Sequence, residues 1–148
     1  IYKKFDCLLS PSLPNPELQN LILEKNIEIS QAYENREFAR VIRAVMSLAD
    51  VINQYIDERK PWVIAKEEGK EEELQSICTQ AICGFSTLMI YLKPVLPELT
   101  KKSESFLNTE LNWGNLEKSL CSHKINKFKP LINRIEKKQV DEMLLSIK

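Results

Sequence analysis

Two apolar stripes at helical spacing constrain this chain more than any other feature. In the first, Phe38, Val41, Ile42, Val45, Leu48, Ala49, Ile52, Tyr55 and Ile56 recur at the three- and four-residue spacing of one helical face. Arg36, Arg40, Arg43, Asp50, Asn53, Asp57 and Glu58 lie off that stripe, and Asn35 is placed to cap it. Pro61 ends the regular helix near Lys60, because proline lacks an N–H and pushes its predecessor toward extended geometry. In the second stripe, Leu74, Ile77, Cys78, Ala81, Ile82, Phe85, Leu88, Met89 and Leu92 predict a helix over 71–93 that Pro94 ends. Neither stripe can stay in water, so the two must bury against each other and against flanking helices. An all-α antiparallel helix bundle follows.

The flanks fit that expectation. Asn15 caps, Pro16 suits the first helical position, and Leu18, Leu21, Ile22, Ile29, Ala32 and Tyr33 predict one helix, interrupted on its stripe by Lys25. Pro97 starts a shorter helix through Leu107. Residues 108–122 read as irregular, with a turn at Asn112-Trp113-Gly114-Asn115, and a last helix spans 137–147 with Val140, Met143, Leu144 and Ile147 on one side. The expected organisation is a bundle over 1–112 and a C-terminal segment with a final helix over 113–148. With only 3 glycines the chain is ill suited to hairpin-rich folds or to a glycine-rich phosphate loop, and 43% apolar residues suffice for a core. The chain opens on Ile1 within an amphipathic pattern and reads as part of something longer. It carries no signal-peptide pattern and no run of about 18 apolar residues that could span a membrane.

Charge balances at 21 basic and 21 acidic side chains, which by itself speaks against nucleic acid. The balance is a sum of opposed patches. Residues 66–73 form an acidic run suited to a solvated helix start, whereas 118–138 carry Lys118, Lys124, Lys127, Lys129, Arg134, Lys137 and Lys138 against Glu136 alone. That basic segment has three readings: contact with a phosphate backbone, docking on an acidic neighbour, or a solvated stretch with neither role.

No constellation of catalytic residues is visible. His123 is the only histidine, no phosphate-loop, nucleophile-elbow or H-E-x-x-H pattern occurs, and the carboxylates fall on solvent faces. Cys7, Cys78, Cys83 and Cys121 form no C-x-x-C pair, so free thiols in a reducing cytosol are expected and no metal site. The informative stretch is Asp57-Glu-Arg-Lys-Pro61-Trp62-Val-Ile-Ala-Lys66. A tryptophan straight after a helix-ending proline has two readings. It can plug the gap left by the kink, or it can face outward on a rigid turn as a stacking platform for an unpaired base, worth about 1–3 kcal/mol per base. Trp113, beside Gly114, is expected to be a packing anchor. A helical module that binds protein without RNA specificity stands as the alternative function.

Five stretches together carry a resemblance to the anticodon-binding domain of the bacterial methionyl-tRNA synthetase family. They are Arg36-Glu-Phe38 leading to Val45-Met-Ser-Leu-Ala-Asp50, then Tyr55 to Lys66 around Pro61-Trp62, then Leu88-Met-Ile-Tyr-Leu-Lys-Pro-Val-Leu-Pro97, Ser105-Phe-Leu-Asn108, and His123 to Lys129 with Leu131-Ile-Asn-Arg-Ile135. The resemblance runs in order along nearly the whole chain. It implies the helix bundle that class I synthetases use to bind anticodons, and a partner: the anticodon loop of methionine tRNA. It implies that Trp62 stacks on the first anticodon base, with Pro61 fixing the turn, Asp57 close by and Lys3 as an RNA contact. The family's Asn and Arg that read base edges, four residues apart, lie before Ile1 on a helix of which Ile1 to Asp6, Lys3 included, match only the tail. The resemblance further implies a cytoplasmic parent enzyme that joins methionine to tRNA using ATP and Mg2+. Zinc belongs to the catalytic part, and some members carry a homodimerisation domain. Residues 113–148 resemble the stretch that returns toward that catalytic domain.

Overall fold

The computed structural model describes residues 1–147, Tyr2 by its backbone alone. It is helical, as expected: α1 (Tyr2–Phe5), α2 (Pro16–Glu24), α3 (Asn26–Glu34), α4 (Phe38–Arg59), α5 (Pro61–Ile64), α6 (Glu71–Leu92), α7 (Pro97–Leu107), a 3-10 turn (Trp113–Asn115) and α8 (Lys137–Ser146). Helix α6 runs through the middle, with α2, α4, α5 and α7 packed around it. Gly84 lets α4 come close: a Cβ there would lie 2.7 Å from Ile52 Cδ1.

The stretch expected as one helix over 16–33 is two. Asn15 caps as predicted, its Oδ1 accepting from the Leu18 N–H at 3.1 Å. At the far end the Tyr91 hydroxyl donates to the Ile22 carbonyl at 2.8 Å, and the Asn26 amide donates to the Leu23 carbonyl at 2.6 Å. Side chains thus take the carbonyls that a continuing helix would use, and the chain breaks at Lys25. Asn35 is a second correction: it ends α3, its N–H returning to Gln31, and Glu37 occupies the cap position of α4.

The buried face of α6 also differs from the predicted stripe. Leu74, Ile77, Leu88 and Met89 are buried, but so are Thr79, Gln80, Ser86 and Thr87, while Cys78, Ala81, Ile82 and Phe85 are only half-buried. The hydroxyls make this possible by bonding within the fold: Thr79 and Thr87 donate to carbonyls four residues back, and Thr79 Oγ1 also accepts from the Ser10 N–H at 2.9 Å.

The C-terminal segment enters the core through Leu120 and Ile125, next to Leu111 at the end of the bundle segment. It is tied to the N-terminal segment by a short antiparallel clasp, in which Ile125 N–H donates to Cys7, Leu9 N–H to His123 and Ser122 N–H to Ser10, each at 3.0 Å. Trp113 is the packing anchor expected, its ring edge-on to Tyr33 at 6.5 Å and tilted against Tyr91 at 5.4 Å. Helix α8 begins at a capping box of Glu136 and Gln139, and all of its described residues are exposed. Cys7 and Cys83 are buried, Cys78 and Cys121 half-buried, and all four thiols are free. No described helix is long and apolar enough to cross a membrane.

Candidate RNA-binding site

The junction between α4 and α5 is built by a left-handed residue and a proline. Lys60 closes α4 at φ 46°, ψ 60°, its N–H returning to the Ile56 carbonyl at 2.9 Å. Pro61 then opens α5 at the first helical position, where its missing N–H costs nothing. Three residues on, Ile64 is buried and fixes the turn to the core. Trp62 and Val63 therefore fall on the opposite side, and Trp62 is 52% exposed. Ile64 is buried at the kink, while Trp62 keeps half of its surface exposed.

The other expected site residues lie on α4 and α1. Asp57 lies on the last turn of α4, exposed, and its carboxylate has no side-chain partner among the described residues. Its neighbours are occupied: Glu58 accepts from the Gln54 amide at 2.9 Å, and the Arg59 guanidinium sits 5.7 Å over the Tyr55 ring. Burial pushes the Tyr55 phenol up from its ordinary value, with Arg59 opposing the shift. Lys3 is on α1, exposed and likewise without a side-chain partner among the described residues. A residue that sequence reasoning missed connects the two parts: Lys4 donates to the Ala65 carbonyl at 2.7 Å, pinning α1 to the end of α5. Its only sequence signal was its place beside Lys3.

The turn also borders a cleft of about 450 Å³, in which Ile1, Ile56, Pro61, Ile82, Phe106 and Phe128 form an apolar lining. A second cleft, about 550 Å³, shares Phe106 and Asn126 with it and is rimmed by Lys102, Lys127 and Lys129. Neither cleft was foreseen. Their signal lay in the sequence Lys127-Phe128-Lys129, an aromatic residue between two lysines. The site so assembled offers an exposed indole on a rigid turn, a carboxylate, ammonium groups and apolar clefts. Such a set suits a flat, partly charged ligand. No cluster of three or more potential metal ligands occurs among the described residues.

Comparison with known proteins matches residues 20–143 to the family described as the anticodon-binding domain of tRNA ligase. The chain is 52% identical over 149 aligned positions to the methionine–tRNA ligase of Psychrobacter sp. (strain PRwf-1), covering 100% of this chain and 21% of that protein. It thus spans about a fifth of that relative's length. Among solved structures, the free-state methionyl-tRNA synthetase of Mycobacterium tuberculosis superposes with a TM-score of 0.83 at 14% identity, over 91% of this chain and 29% of that one. At that identity the superposition speaks for the fold, which is the same helix bundle.

Proposed function

The chain belongs to the anticodon-binding domain family of tRNA ligases, and from that membership we propose that it reads the CAU anticodon loop of methionine tRNA as one part of a methionyl-tRNA synthetase. Membership in the family sets aside the reading as a protein-interaction module without RNA specificity. The observation that carries the proposal is the half-exposed Trp62 on a turn fixed by Pro61 and anchored by Ile64.

An unpaired base has an apolar face that water solvates poorly. A rigid indole accepts that face with little loss of side-chain freedom, which is why such platforms contribute about 1–3 kcal/mol per base. Stacking alone selects no sequence. The Asp57 carboxylate is an acceptor suited to the exocyclic amine of cytosine, and Lys3 supplies an ammonium for phosphate. Binding energy gained at the anticodon is used to hold the acceptor end of the tRNA in place elsewhere.

The rest of the reading concerns the remainder of the enzyme. Activation of methionine with ATP and Mg2+, a zinc-bearing part and a homodimerisation domain would all lie outside this chain, in a cytoplasmic enzyme. Residues 113–148 would return toward the catalytic domain, and the exposed apolar face of α8, with Val140, Met143, Leu144 and Ile147, would lie against it.

The test is Trp62→Ala in the complete synthetase polypeptide. Efficiency for tRNA (kcat/KM) is expected to fall about 5- to 150-fold, with methionine activation and melting temperature unchanged. A fall of about twofold or less would remove the stacking role.

A further inference from the structure

We infer that Lys60 holds the phosphate of the nucleotide whose base stacks on Trp62. This role rests on the anticodon-loop reading of Trp62 and adds the charged half of the same contact.

The first observation is where the lysine stands. Among the described residues, three helices end on a residue in the left-handed region: α1 on Asp6 at φ 47°, α4 on Lys60 at φ 46° and α7 on Asn108 at φ 51°. That conformation presses Cβ against the following carbonyl, so glycine takes it with least strain, and Asn and Asp tolerate it best among the rest. Asp6 and Asn108 fit that rule, and both side chains are used inside the fold. The Asp6 carboxylate pairs with Lys124 at 3.0 Å, and the Asn108 amide donates to the Lys124 carbonyl at 3.2 Å. Lys60 departs on both counts. A lysine gains nothing locally from a left-handed backbone, and this one is exposed, its ammonium making no hydrogen bond or ion pair among the described residues. Glycine would close α4 with less strain, so the lysine side chain has a use outside the fold.

The second observation is how firmly it is held beside the indole. Pro61 bars its predecessor from the right-handed helical region, and the left-handed alternative lets Lys60 serve both helices. Its N–H returns to the Ile56 carbonyl of α4 at 2.9 Å, and its carbonyl accepts from Val63 N–H at 2.9 Å and Ile64 N–H at 3.3 Å in α5. Trp62 follows two residues on, so the two Cα atoms lie within about 7.6 Å of each other. A nucleotide spans such a distance between its base and its own phosphate.

The third observation is that the neighbours cannot do the same work. Arg59 lies 5.7 Å over the Tyr55 ring, Glu58 accepts from Gln54, and the Asp57 carboxylate repels a phosphate. A cation at this helix end also complements the α4 dipole, but Arg59 already supplies one in the last turn. The ammonium of Lys60 is therefore left for a phosphate, a contact that fixes position and carries no sequence.

The experiment measures binding of methionine tRNA by the complete synthetase polypeptide against salt. Lys60→Gly removes the charge and suits the left-handed backbone. It should flatten the log–log salt slope by about 0.7 and weaken binding about fivefold at about 0.1 M salt, the difference closing toward about 1 M. Its melting temperature should hold or rise, because strain is relieved. Lys60→Asn, also neutral and tolerant of that backbone, should bind as Lys60→Gly does, and Lys60→Arg should restore slope and affinity. Parent-like slope and affinity in Lys60→Gly would overturn the proposal. So would weaker binding with an unchanged slope, or an equal loss in Lys60→Arg, since either places the effect in the shape of the turn and not in its charge. Trp62→Ala run alongside separates the two readings. If it weakens binding while Lys60→Gly does not, the stacking role stands without Lys60. If Trp62→Ala is silent, the anticodon reading fails and the role of Lys60 fails with it.

Discussion

The chain's two tryptophans sit on short turns of similar size, Trp62 in a four-residue helix and Trp113 in a three-residue 3-10 turn, with opposite outcomes. In α5, Ile64 is buried and holds the turn, so the Trp62 ring is free to face water. The turn at 113–115 has no buried residue of its own to anchor it, and Trp113 does the anchoring, packed on Tyr33 and Tyr91. The difference teaches that an aromatic ring on a short turn becomes available for recognition only when a neighbour already secures the backbone.

The comparison breaks most visibly at Trp113. Trp113→Ala removes the anchor of its turn and the contacts with both tyrosines. It should lower unfolding free energy by about 2–4 kcal/mol in urea melts, with RNA affinity per folded molecule unchanged. Trp62→Ala should do the reverse, which makes the pair a double dissociation. Equal stability losses for the two would erase the distinction.

Ile64→Ala probes the logic from the other side. Losing a buried isoleucine should cost about 2 kcal/mol or more. Here RNA affinity should fall as well, though Ile64 touches no RNA, because Trp62 is no longer held outward. Retained RNA affinity in the folded Ile64→Ala protein would show that Pro61 alone suffices to position the ring.

Much of this arrangement was legible in the sequence, and what escaped did so for definite reasons. The stripes of α4 and α6 and the stops at Pro61 and Pro94 were visible because apolar periodicity and proline sterics act locally. The break at Lys25 was not, because it depends on the Tyr91 hydroxyl reaching the Ile22 carbonyl from sixty-nine residues away. The buried face of α6 was misjudged in part because threonine buries when its hydroxyl bonds to the helix backbone, as Thr79 and Thr87 do, which polarity counting ignores. Among the site residues, Pro61 and Trp62 stood out as a dipeptide, whereas Lys4 and Phe128 acquire meaning only from what the fold sets beside them. The clasp between residues 7–10 and 122–125 had no alternating pattern to announce it, being three backbone bonds between irregular segments.

The smallest expected effect is the most selective. Lys93 bridges Glu104, at 2.7 Å, and donates to the Leu111 carbonyl, while Glu104 also accepts from the Leu111 N–H at 2.9 Å. These bonds hold the loop that delivers Trp113. Burial pushes the Glu104 carboxyl up, but the hydrogen bonds from Lys93 and Leu111 outweigh it and leave the group below its ordinary value of 4.5. A carboxyl depressed on folding binds fewer protons folded than unfolded. Its contribution is full above 4.5 and is lost as pH falls through the lower folded value. In this chain carrying Trp62→Phe, where Trp113 is the one tryptophan left of its two, emission should shift to the red as pH falls below 4.5 and the loop loosens. Adding Glu104→Gln should cost about 1 kcal/mol at neutral pH and remove that part of the pH dependence. Parallel titrations with and without the substitution would detach Glu104 from Trp113. The matching Trp113→Phe protein, reporting from Trp62, should show no such difference, since nothing in the α4–α5 turn depends on that carboxylate.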